Sequence, residues 1–130
     1  MSFLRKLFRR GDTDDEGEDA PIHLDQEQRR RQLLRLEKAL DQLTNQMRTC
    51  ESMDNPAWRV RVNEYARLAG DAMSLRRGEV TREGVLDLVF EVRPLFSGTP
   101  PTGLEHLVPL QDDVLAAAEE LRVLSPSERG

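Results

Sequence analysis

The chain has 130 residues, a formal net charge of −5, 33% charged and 5% aromatic residues, and one cysteine. That size bounds it to one domain with short tails, and the surplus of charge over aromatics favours helices with long solvated faces over a β-sandwich. The lone Cys50 excludes an intramolecular disulfide and a cysteine-rich zinc site, and no run approaches the ~18–20 apolar residues of a membrane span.

Residues 1–11 read MSFLRKLFRRG. Phe3, Leu4, Leu7 and Phe8 fall within an arc of about 140° on a helix, with Arg5, Lys6, Arg9 and Arg10 outside it. Ten residues do not hold a helix alone in water. At an anionic membrane, however, the apolar side chains enter the interface while the cations meet phosphate headgroups. A protein groove would accept the same apolar face. The longest apolar stretches here are pairs, well short of the ~7–15 residues of a leader core, so a signal peptide is not expected.

Asp12, Asp14, Asp15, Glu16, Glu18 and Asp19 follow, almost without apolar neighbours, which predicts a disordered acidic linker over residues 12–22. A true domain is expected from there on. Asp25-x-x-Gln28 resembles a capping box, and Leu33, Leu36, Leu40, Leu43, Met47 and Cys50 recur at intervals of 3, 4, 3, 4 and 3. Six rungs of an a/d seam predict a long first helix with Cys50 as a small buried hydrophobe.

Asp54-Asn55-Pro56 predicts a break and restart, with Asn55 as cap and Pro56 in the first turn. The second helix carries Trp58, Val62, Tyr65, Ala69 and Ala72 on one stripe, widened by Leu68 and Leu75, and closes at Arg76-Arg77-Gly78. Residues 81–96 are ambiguous. Leu86, Leu88, Phe90 and Val92 alternate as in a strand, whereas Val85, Leu88, Val89, Val92 and Phe96 fit a helical face with Thr81 as cap. No partner strand is in sight for its backbone hydrogen bonds, so helix is preferred. Thr102-x-x-Glu105 resembles a second capping box, followed by Leu107, Leu110, Val114, Ala117, Leu121 and Leu124 at seam spacing. Pro109 marks where that last helix bends or begins, and residues 125–130 look frayed.

Chemistry is thinly represented. There is no P-loop, dinucleotide fingerprint, nucleophile elbow or H-E-x-x-H. Ala20 and Gly103 stand three residues before His23 and His106, so the Glu-x-x-His pattern of di-iron bundles is missing. Asp112-Asp113 and Glu119-Glu120 are adjacent pairs that point about 100° apart on a helix and do not converge. One further positive feature is Arg29-Arg30-Arg31 with Arg35 and Lys38, where Arg31, Arg35 and Lys38 share a helix face opposite the leucine seam. That stripe suits phosphate or an acidic partner, although an ordinary solvated face has the same pattern.

These readings predict an all-α fold: an antiparallel helical bundle of three to four helices over residues 23–124. Before it stand the amphipathic basic segment, residues 1–11, and the acidic linker, residues 12–22; residues 125–130 form a disordered tail. The expected function is a non-catalytic adaptor or scaffold in the cytoplasm. It would bind a protein partner and rest peripherally on the cytoplasmic face of an anionic membrane through Phe3, Leu4, Arg5, Lys6, Leu7, Phe8, Arg9 and Arg10. The alternative is a soluble regulatory module that binds its partner through Arg31, Arg35 and Lys38. No metal or other cofactor is expected, and the acidic balance argues against nucleic acid. Heptad seams fill within a chain or between copies, so a homo-oligomer stays open.

Overall fold

A computed structural model describes residues 22–129. They are all-helical, with four α-helices: α1 (Gln26–Arg48), α2 (Pro56–Arg77), α3 (Arg82–Glu91) and α4 (Val108–Arg122). Short 3-10 turns lie at Glu51–Asp54, Glu105–Leu107 and Pro126–Glu128.

Asp25 caps the first helix, its carboxylate accepting the Gln28 N–H at 3.1 Å, but the expected capping box is not completed, because the Asp25 N–H donates to Glu128 rather than to the Gln28 side chain. Leu33, Leu36, Leu40, Leu43 and Met47 are all fully buried on one face. The sixth rung departs from the expectation. Helix α1 stops at Arg48, and Cys50 sits half-buried in the turn, its thiol donating to the Gln46 carbonyl at 3.4 Å. The chain must reverse here, and the exposed end of α1 is satisfied locally. Thr49 Oγ1 donates to Gln46 O at 2.7 Å, and the indole of Trp58, reaching back from α2, donates to Met47 O at 3.0 Å.

Asn55 caps α2 through a 2.9 Å bond from the Ala57 N–H, with Pro56 in the first turn. Helices α1 and α2 run antiparallel: Trp58 meets Met47 at one end, while Arg30 donates to Arg76 O and Gly78 O at the other. The Gln26 side-chain amide closes this end by pairing with both backbone groups of Val80, each bond 2.8 Å long. Residues 82–91 are helical, capped by Thr81, and bury Val85 and Leu88. Phe90, which a strand would have placed beside Leu88, is 72% exposed.

Two expectations near the C-terminus are corrected. The Thr102/Glu105 capping box does not form: Gly103 takes a positive φ of 94° and its N–H bonds the Glu105 carboxylate, so the chain is still turning there. Helix α4 begins at Val108, and Pro109 lies in its first turn, where a missing N–H costs nothing. Nor is the segment after Leu124 a frayed tail over its described part. Pro126–Glu128 forms a 3-10 turn that buries Glu128 against α1. Helix α1 packs along both α2 and α4, and α3 touches α2 and α4, which closes one shared core.

Candidate partner-binding groove

Three consecutive arginines at the start of α1 point about 100° apart and meet three different fates. Arg29 turns inward and is 1% exposed. Its Nε donates to Glu128 Oε2 at 2.9 Å, and its other nitrogens reach Glu128 Oε1, Leu121 O, Val123 O and Gln32 Oε1. The sequence held the signal for this, since position 29 continues the 29, 33, 36, 40 spacing of the leucine seam. Arg30 caps the carbonyls at the end of α2. Arg31 is exposed as Arg30 is, but it makes no backbone hydrogen bond among the described residues.

From Arg31 onward the exposed face of α1 forms one wall of an open groove of 620 Å³, lined by Arg31, Leu34, Arg35, Lys38, Ala39 and Gln42 with Asp113 of α4 opposite. Arg31, Arg35 and Lys38 are thus brought together, over a floor of half-buried Leu34 and buried Ala39. Their cations are only lightly engaged. Arg31 lies 3.6 Å from Glu27 with both side chains mostly exposed, and Arg35 lies 2.8 Å from Glu120 with about half of each exposed. Lys38 makes no ion pair among the described residues. Exposed pairs of this kind contribute about 0–1 kcal/mol and exchange readily. The groove therefore offers three cations within about two helical turns, beside an apolar strip.

Elsewhere several polar side chains hold the fold together. Gln111 Oε1 accepts the Phe96 N–H at 2.7 Å, and the Tyr65 hydroxyl donates to Arg93 O at 2.6 Å while accepting from Arg61 at 2.8 Å. Glu119 bonds Arg122 on its own helix while Glu120 reaches Arg35 on α1, so these adjacent acids diverge as their spacing dictates. Cys50 and exposed His106 line one shallow cleft of 430 Å³ with Thr49 and Thr102, and the thiol is turned to the Gln46 carbonyl. A second, more apolar cleft of 580 Å³ lies between Trp58, Arg61, Pro94, Phe96 and Leu104. Among the described residues, no three His, Cys, Asp or Glu side chains gather as a metal would require, and no helix is long and apolar enough to cross a membrane.

The sequence-derived membrane-contact residues, Phe3, Leu4, Arg5, Lys6, Leu7, Phe8, Arg9 and Arg10, lie outside the described residues, as does the acidic run up to Asp19. Sequence reasoning missed the Arg29–Glu128 pair and the buried Gln111, because each depends on where a distant segment returns. Comparison with protein families, with curated proteins and with solved structures finds no match to this chain.

Proposed function

We propose that this protein is a non-catalytic, cytoplasmic helical binding module whose α1 groove takes an acidic, amphipathic segment of a protein partner. The observation that carries this reading is the convergence of Arg31, Arg35 and Lys38 beside Leu34 and Ala39 on one open surface. Carboxylates of the partner would replace Glu27 and Glu120 as counter-ions, and an apolar side chain would cover the strip between them. Electrostatics would speed and orient docking, while the apolar contact supplies much of the affinity.

The test uses a fluorescein-labelled synthetic helix with glutamates flanking a leucine stripe, and the same helix with lysine for every glutamate. The acidic helix is expected to bind with salt-sensitive affinity, and to lose about tenfold or more in the Arg31→Glu/Lys38→Glu chain. Equal binding of both helices, or of both chains, would reject the reading.

The pattern of residues 3–10 supports an added role as a peripheral membrane tether, which would make the module an adaptor at the cytoplasmic face. Each cation near an anionic surface contributes about 1 kcal/mol, so one copy would bind weakly and several copies usefully. Co-sedimentation with phosphatidylserine vesicles decides it. The full chain should pellet and a Phe3→Ser/Leu7→Ser/Phe8→Ser chain should not; equal pelleting would end the tether.

A further inference from the structure

We propose that the α1 groove is occupied, in the absence of a partner, by the acidic run of this same chain: Asp12, Asp14, Asp15, Glu16, Glu18 and Asp19. This rests on the groove being an acidic-segment site, and adds that the chain carries its own competitor. Three observations support it.

Charge complementarity comes first. The run carries six carboxylates in eight residues, while the groove presents Arg31, Arg35 and Lys38, with Asp113 in its lining and the exposed Glu27 and Glu120 as the counter-ions the run would displace. The segment before the run, with Arg5, Lys6, Arg9 and Arg10, has the wrong sign for the same surface. Of the two charge blocks ahead of the helices, only the acidic one fits.

The second observation is the fixed exit. Leu24 packs against the core, and the Asp25 N–H donates to the Glu128 carboxylate at 2.7 Å. Glu128 follows α4, so the chain enters α1 beside the end of α4, and the groove runs between α1 and Asp113 of that same helix. The chain therefore enters α1 at the edge on which the groove lies.

Reach is the third. Arg31 and Gln42 stand about 9 and 26 Å along the α1 axis from Asp25. Asp19 and Asp12 precede Asp25 by six and 13 residues, so extended chain carries them up to about 20 and 44 Å from it. The run is long enough to span the groove antiparallel to α1. A tether this short sets an effective concentration on the order of millimolar, enough to fill even a weak site.

The closing experiment uses the full chain with Cys50→Ser and Gly17→Cys, spin-labelled at position 17, and reads the broadening of assigned backbone amides. Broadening concentrated on Arg31 to Gln42 and Asp113 is expected, abolished by Arg31→Glu/Lys38→Glu. Broadening that is absent, or that survives the charge reversals, overturns the proposal. In a second arm, a labelled acidic helix is titrated into the native chain and into a chain with the six carboxylates replaced by their amides. Binding about fivefold or more tighter to the amidated chain is expected. Equal, groove-dependent binding to both would overturn self-occupancy while leaving the groove's partner reading intact. Failure to bind the amidated chain at all, with the broadening present, would instead sink the partner reading alone.

Discussion

Arg29 and Glu128 form a buried ion pair across 99 residues of sequence, each side chain 1% exposed. Every strong polar group of the pair has a partner. The guanidinium also donates to Leu121 O, Val123 O and Gln32 Oε1, and the carboxylate accepts the N–H groups of Asp25 and Ser125 at 2.7 and 2.9 Å. One carboxylate thus ties together the start of α1, the end of α4 and the last turn of the chain.

Breaking a buried pair by removing one member leaves the other charge without compensation, at a cost of about 3–5 kcal/mol. Glu128→Ala is therefore expected to lower the unfolding free energy by that amount in urea titrations followed by far-UV circular dichroism. Arg29→Leu/Glu128→Leu should cost much less than the two single changes added together. A loss below about 1 kcal/mol for Glu128→Ala would mean that the C-terminal turn contributes little.

The same pair sets an acid sensitivity. The Arg29 hydrogen bonds hold the Glu128 carboxyl at about 2, well below the usual carboxylate range, aided by the Ser125 and Asp25 N–H groups. The folded value lies below the unfolded one, so the stabilisation is complete above the ordinary carboxylate pKa and disappears as pH falls toward the folded value. It amounts to about 3 kcal/mol, lost between about pH 5 and pH 2. Stability measured across that window should fall steeply for the native chain and more shallowly for Glu128→Gln.

Much of the fold was legible from periodicity alone. The leucine seam of α1, the caps at Asp25, Asn55 and Thr81, and the preference for helix over strand in residues 81–96 follow from local spacing and side-chain chemistry, although that helix ends at Glu91 and leaves Phe96 outside it. What escaped was set by where distant segments return. Cys50 continues the seam arithmetically, but the chain turns before it, and the end of α1 is closed by Thr49 locally and by Trp58 returning from α2. Residues 125–129 have almost no apolar content, so nothing local foretold that Glu128 would find Arg29. The groove was half-visible: Arg31, Arg35 and Lys38 declare a shared face, while the opposing wall at Asp113 needed the packing of α4.

Tyr65 is the sole tyrosine, which makes it separately observable. Burial raises its pKa, opposed by the nearby Arg61 cation and hydrogen bond. Because the folded value lies above the unfolded one, its contribution is present below about pH 10 and lost as pH rises further. Phenolate absorbance should therefore appear above pH 10 and track loss of helicity. Tyr65→Phe leaves Arg93 O and Arg61 without their shared partner and is expected to cost about 1–2 kcal/mol.

Core and surface positions should separate cleanly in thermal unfolding. Leu40, fully buried on α1, is expected to cost about 2–5 kcal/mol as Leu40→Ala. Phe90, largely exposed on α3, should change stability by less than about 0.5 kcal/mol as Phe90→Ala. A large loss at Phe90 would mean that another surface covers it in solution.

The most direct measurement is an amide shift-perturbation map of the amidated chain, in which the six carboxylates between Asp12 and Asp19 are neutralised, titrated with the acidic leucine-striped helix. Shifts are expected to cluster on Arg31, Leu34, Arg35, Lys38, Gln42 and Asp113 and to weaken with added salt. Shifts centred instead on Trp58 and Phe96, or none at millimolar peptide, would contradict a basic groove on α1 as the binding surface.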